Sequence, residues 1–127
     1  GASVHASSEP EVGWFEIQLT DAARADPVLG SLQSQFDAFQ WHHYTYALPA
    51  GAVELARSAV CTQAFRLERA YGIQFHAEVT GAQVERWLDE DPDDVADPEA
   101  LRRETAARIS AWNETGRALC SAFLETV

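Results

Sequence analysis

Tyr71-Gly72-Ile73-Gln74-Phe75-His76-Ala77-Glu78 runs into Val79-Thr80-Gly81-Ala82-Gln83, and the period of the chain changes at that junction. Before it, Ala70 to Phe75 reads as a short apolar strand. After it, Thr80 to Gln83 fits a capping box, and Val84, Trp87 and Leu88 follow at i, i+3, i+4, which predicts a helix of about two to three turns. The strand delivers His76 and Glu78 to its end two residues apart, a spacing that puts both side chains on one face. A histidine oriented by a carboxylate supplies two members of a nucleophile–base–orienter triad. The third would be a Ser or Cys within hydrogen-bond reach of the imidazole.

Working upstream, the chain reads as strands and tight turns. Trp14 to Leu19 alternates as a half-buried strand, with a helix or turn start at Thr20-Asp21 and turn signals at Asp26-Pro27 and Gly30-Ser31. Phe36 to Tyr46 is dense in aromatics and predicts a second strand, whose rings are expected in the core and in cross-strand pairs. Leu48-Pro49-Ala50-Gly51 is a turn, and Val53–Ala56 and Thr62–Leu67 are further short strands, so antiparallel pairing is expected. Downstream, Asp89 to Asp94 forms an acidic loop without the glycine and terminal glutamate of a calcium loop. Asp97 as N-cap and Pro98 at the first turn open a last helix whose apolar residues are Leu101, Ile109, Trp112, Leu119, Phe123 and Val127. Gly116 costs about 1 kcal/mol there relative to Ala and marks a bend or a close contact.

The chain has 127 residues, 46% of them hydrophobic, and a net charge of −11 from nine arginines against twenty acidic residues. That is enough for one core, and the charge disfavours nucleic acid or an anionic membrane surface as a partner. No run approaches a membrane span. Two cysteines without a signal peptide point to reduced thiols in the cytoplasm. No methionine occurs, and the abrupt opening Gly1-Ala2-Ser3-Val4-His5 is expected of a piece of a longer or processed polypeptide.

Gly72-Ile73-Gln74-Phe75-His76-Ala77-Glu78 resembles the Gly-x-Gln-Phe-His-Pro-Glu signature of class I glutamine amidotransferases, in which His and Glu complete a Cys-His-Glu triad. Gly13-Trp14, Phe39-Gln40-Trp41-His42, Leu48-Pro49-x-Gly51-Ala52 and Gln63-Ala64-Phe65-Arg66 are similar to corresponding parts of the GMP-synthase-like branch, in the same order. The resemblance covers nearly the whole chain but only the C-terminal portion of that family's domain. It implies a flavodoxin-like α/β fold, with residues 1–127 supplying short mixed or antiparallel strands followed by helices. It also implies that His76 and Glu78 are catalytic, and that Trp41, His43 and Tyr44, on the aromatic strand whose following turn presents main-chain groups to glutamine, lie near the pocket. Ala77 stands where the family has Pro.

The family's nucleophile sits in an upstream Gly-x-Cys-x-Gly elbow that these residues do not contain, and that sharp turn needs its glycines. Cys61 has no flanking glycines and begins a strand, so it is expected as a small core or turn residue. Cys120, beside Leu119 and Phe123, is expected to pack. His42 and His43 are adjacent on a strand and point to opposite faces, so no shared metal ion is expected of them, and no cofactor is expected. Three functions remain open. One is glutamine hydrolysis to glutamate and ammonia, with the nucleophile supplied from elsewhere and a synthetase domain or subunit accepting the ammonia. Another is a stand-alone non-catalytic binding or interaction module of the same descent, a monomer or a homodimer, whereas the first function expects the missing N-terminal half of the domain to dock on this one. The last is a Cys-dependent γ-glutamyl hydrolase.

Overall fold

Period-2 patterning in the first half of the chain gives five strands, and the change of period after Glu78 gives two helices. The computed structural model describes residues 1–127 and contains β1 (Val4–Leu19), β2 (Gln35–Tyr46), β3 (Val53–Arg57), β4 (Thr62–Leu67), β5 (Ala70–Ile73), α1 (Gly81–Glu90) and α2 (Pro98–Leu124). Short 3-10 turns occupy Asp21–Ala25 and Pro92–Asp94. The strands form one antiparallel sheet in the order β2-β1-β3-β4-β5.

The β1–β2 hairpin fixes what each face of the sheet carries. Trp14 lies opposite Phe39 and Val12 opposite Trp41 on one face, while Glu11 lies opposite His42 and Gly13 opposite Gln40 on the other. Strand β1 begins ten residues earlier than its alternation predicts. Its first part, His5 to Pro10, is polar and carries a proline, so no hydrophobic pattern marks it, yet Val4, His5 and Ala6 pair with Tyr46, Thr45 and Tyr44. Pro10 falls in the irregular stretch between Ala6 and Glu11, where its missing N–H leaves no ladder bond broken.

The sheet curls until its ends approach. Strand β5 stops at Ile73, two residues short of the sequence expectation. The chain then crosses the gap, with Gln74 N donating to Gln63 O on β4 (2.8 Å) and His76 N donating to Phe39 O on β2 (2.9 Å). Those two bonds occupy backbone groups that an open edge would leave unpaired. Inside the curl, Gln40 Nε2 of β2 donates to Gln63 Oε1 of β4 at 2.6 Å.

The helices cover the aromatic face. Thr80 caps α1 by accepting from Gln83 N (3.2 Å), and Asp97 caps α2 by accepting from Ala100 N (2.9 Å), as the sequence predicts. Trp14 packs edge-on against Phe39 and Trp112 at 5.3 and 5.9 Å, and its indole N–H donates to Thr105 Oγ1 (3.1 Å), which satisfies a polar group on a buried helix face. The buried stripe of α2 is Leu101, Thr105, Trp112, Gly116 and Leu119. Cys120 lies one residue, about 100° of helix, beyond that stripe; it is exposed and does not pack, contrary to the sequence expectation. Val127 is likewise exposed, and Phe123 only half covers itself against Tyr71.

Candidate active site

His76 sits where the sheet ends and the chain turns toward α1, and the helix α2 holds that turn at four points. Trp112 Nε1 donates to His76 O (2.8 Å) and Asn113 Nδ2 donates to Val79 O (2.7 Å). Gly116 lies so close to the Ala77 carbonyl that a Cβ on it would collide with that oxygen. Trp112 also packs on Phe75, one residue before the histidine, at 5.9 Å. With His76 N bonded to Phe39 O, the main chain carrying the histidine is fixed from both the sheet and the helix. The sequence reading of Gly116 as a bend or close contact resolves to the close contact.

The side chains then meet as their spacing predicts. His76 Nδ1 is 2.8 Å from Glu78 Oε1, and the imidazole stands edge-on to Trp87 at 5.0 Å. A carboxylate can only accept, so Nδ1 carries the proton of the neutral ring and Nε2 carries the lone pair. Nε2 has no partner, and the side chain is 29% exposed. Such a ring is a base with its tautomer fixed and its basic nitrogen facing outward.

Of the other residues singled out by sequence, Trp41 and His43 share the aromatic face. Trp41 packs against Trp87 at 5.5 Å, on the same indole that flanks His76. Trp41 Nε1 donates to Asp94 Oδ2 and His43 Nε2 lies at 3.1 Å from the same oxygen. Asp94 is therefore a tie between the acidic loop and β2 rather than only a solvated residue. The bond with His43 holds its carboxyl below the usual range, against a smaller opposing effect of burial. Tyr44 belongs by strand alternation to the opposite face and is 62% exposed.

Neither thiol of this chain sits against the imidazole. Cys61 lies in the Ser58–Cys61 turn and contacts Glu11 inside the curl. Cys120 borders a surface groove of about 440 Å³ that Glu78 and Gly116 also line, and His76 does not. Trp87, Trp112 and Asn113 had no functional signal in the sequence. Each reads there as an ordinary helix residue, and only the path of the 76–79 turn reveals its contact.

The chain is 31% identical over 116 residues to the glutamine amidotransferase-like protein YfeJ of Salmonella typhimurium, covering 89% of this chain and 48% of that protein. It is 34% identical over 111 residues to a GMP synthase (glutamine-hydrolyzing) of an Enterobacter species, covering 80% of this chain and 21% of that one. No family model matches. Among solved structures, a glutamine amidotransferase of Methylobacillus flagellatus superposes with a TM-score of 0.87 at 26% identity, over 100% of this chain and 57% of that one. Another from Thermotoga maritima gives 0.86 at 26% identity, over 98% and 56%. The chain thus spans about half the length of the first curated relative and of these structures. No helix is long and apolar enough to cross a membrane.

Proposed function

We propose, for a chain that belongs to the class I glutamine amidotransferases, that residues 1–127 supply the proton-handling part of a glutamine-hydrolysing site and correspond to the C-terminal portion of the domain. The observation that carries this reading is His76 with Nδ1 held by Glu78 at 2.8 Å and Nε2 left without a partner on a partly exposed side chain. In the assembled site Nε2 takes the proton of a cysteine thiol contributed by the rest of the domain. The thiolate attacks the side-chain amide carbon of glutamine, and His76 returns the proton to the departing nitrogen, releasing ammonia and leaving a glutamyl thioester. A water then hydrolyses the thioester to glutamate, with His76 again as base. Glu78 keeps the ring in the required tautomer and stabilises its charged form.

Trp41 and His43 are proposed to border the glutamine pocket, because both share the face that carries His76 and Trp41 reaches it through Trp87. Tyr44 is proposed there only through the turn that follows the strand. The ammonia acceptor is a synthetase domain or subunit, as the similarity to a GMP synthase suggests.

The test is a glutaminase assay on the full-length protein with glutamine and with γ-glutamyl peptides. Turnover of glutamine that is lost in His76→Asn and falls by about 10²–10⁴ in Glu78→Gln is expected. Turnover of the peptides alone would establish the γ-glutamyl hydrolase. Absence of any turnover in a folded full-length protein would leave the non-catalytic module.

A further inference from the structure

On the inner face of the curled sheet, away from His76, three side chains with metal-ligating atoms converge. Glu11 of β1, His42 of β2 and Cys61 of the β3–β4 turn each bring one ligand atom to within 4.8 Å of the others. His42 Nε2 and Cys61 Sγ lie 3.1 and 3.5 Å from Glu11 Oε2. Glu11 is 1% exposed and His42 nearly as buried.

The polar atoms of this cluster are incompletely satisfied. His42 Nδ1 is 3.0 Å from Tyr44 O, and a carbonyl only accepts, so Nδ1 carries a proton and Nε2 is the atom offered to the cluster. Nε2 is out of hydrogen-bond alignment with the nearby carboxylate oxygen and has no partner. Glu11 Oε1 and Thr45 Oγ1 are also buried without one. A buried carboxylate with one unpartnered oxygen, facing an imidazole nitrogen that has no well-aligned hydrogen bond, is an arrangement that a cation would complete.

We propose that Glu11, His42 and Cys61 form a binding site for one divalent transition-metal ion of the zinc class. Bond lengths of about 2.0–2.3 Å around a tetrahedral ion place ligand atoms roughly 3.3–3.6 Å apart, close to the two separations found here. A nitrogen, a carboxylate oxygen and a thiolate sulfur together select a borderline ion over magnesium or calcium, and the two anionic ligands neutralise its charge. The surrounding shell is built as metal sites require. Gln63 Nε2 donates to Glu11 Oε2 (2.8 Å) and to Cys61 Sγ (3.4 Å), Gln40 anchors the Gln63 carbonyl, and the Tyr44 carbonyl fixes the His42 tautomer. Cys61 and Thr45 border a cavity of about 330 Å³ that opens to solvent, which gives the ion a route in and leaves a fourth position for water. The proposal does not depend on the reading of His76, which lies on the other face.

The thiolate is the ligand form of cysteine, so the metal displaces the Cys61 proton on binding. The experiment titrates Co²⁺, and then Zn²⁺ as competitor, into the reduced intact protein. The expected result is one Co²⁺ per chain, a near-ultraviolet thiolate-to-cobalt charge-transfer band, its loss on adding Zn²⁺, and a higher Tm with Zn²⁺. Cys61→Ser abolishes the band and Cys120→Ser retains it. Glu11→Gln, which keeps the shape of the carboxylate, weakens Co²⁺ at least tenfold, and this variant carries the test if Cys61→Ser does not fold. A folded wild-type protein with no charge-transfer band overturns the proposal, as does a band that survives Cys61→Ser or an affinity unchanged in Glu11→Gln.

Discussion

Replacing Gly116 with alanine sets helix propensity against a single packing contact. In the interior of a helix Ala is favoured over Gly by about 1 kcal/mol, so propensity alone predicts stabilisation. Here the added Cβ collides with the Ala77 carbonyl, a main-chain atom that cannot rotate away. Relief requires the 76–79 turn to lift from α2, and that turn is tied to α2 by the Trp112 and Asn113 hydrogen bonds at 2.8 and 2.7 Å. Loss of both costs about 2 kcal/mol at a net value near 1 kcal/mol each, and overpacking in a filled site costs about 1–3 kcal/mol. Because strain and bond loss are alternatives as much as additions, the net after the propensity gain is a destabilisation of about 1–3 kcal/mol. For a chain of this size that lowers Tm by roughly 4–12 °C.

Thermal unfolding followed by circular dichroism measures the shift, and the Trp112 indole N–H resonance reports whether its bond to His76 O persists. The expected result is a lower Tm with a shifted indole resonance and a weakened His76–Glu78 contact. A Tm raised by a few degrees with the indole resonance unchanged would refute the reasoning, since it would mean that helix and turn do not touch at this point.

Trp112→Phe keeps most of the aromatic packing but removes the donor to His76 O, so it should cost about 1–3 kcal/mol, read by chemical denaturation, while its Phe75 and Trp14 contacts persist. Tyr46 is different, because its hydroxyl is buried without a partner and its pKa is pushed up to about 12, mainly by burial and further by Cys61 and Glu54. A folded pKa above the unfolded value means a contribution complete below about pH 10 and lost as pH rises toward 12. Tyr46→Phe should therefore leave neutral stability unchanged or raised by up to about 1 kcal/mol and flatten the alkaline decline, whereas a clear loss at neutral pH would reveal a partner for the hydroxyl. For Asp94 the sign reverses. Its pKa is lowered, first by His43, so its contribution is present above the ordinary carboxylate range and lost as pH falls through the lowered value. Asp94→Asn should make acid unfolding less steep, and an unchanged acid profile would show that the Trp41 and His43 ties are inconsequential.

The sequence made the local elements legible and left the long-range contacts hidden, and particular residues show why. Thr80 and Asp97 announce their helices because capping is a matter of three neighbouring residues. His76 and Glu78 meet because two residues of extended chain suffice to align them. The first residues of β1 were not visible, since their pairing with β2 is dictated by the partner strand and not by their own polar pattern. Cys120 departs from the sequence expectation because a helical stripe shifts by about 100° per residue, so a neighbour of Leu119 need not share its burial. Glu11 carried no sign at all. A glutamate in a strand reads as solvent-facing, and only the curl that brings Gln63 over β1 converts it into a buried acid.

That curl also explains how one small sheet holds two unlike groups of side chains. The outer face is closed by α1 and α2 over tryptophans and phenylalanines, and its chemistry appears only at the rim, where the chain leaves the sheet and His76 can face outward. The inner face cannot be filled by helices, so the strands must cover it with their own side chains. Gln40 bonds to Gln63 and Gln63 to Glu11, and the contacts of His42, Ser58 and Cys61 with the Glu11 carboxylate more than offset the effect of burial, so that carboxyl stays below its ordinary range. A buried, charged carboxylate is costly unless it is matched. If the match were only the internal hydrogen bonds, Glu11→Gln would be neutral or stabilising in metal-free protein and indifferent to added zinc. If the match is a bound cation, the same substitution removes the stabilisation that zinc confers on the wild type, and the two cases separate in one pair of thermal melts.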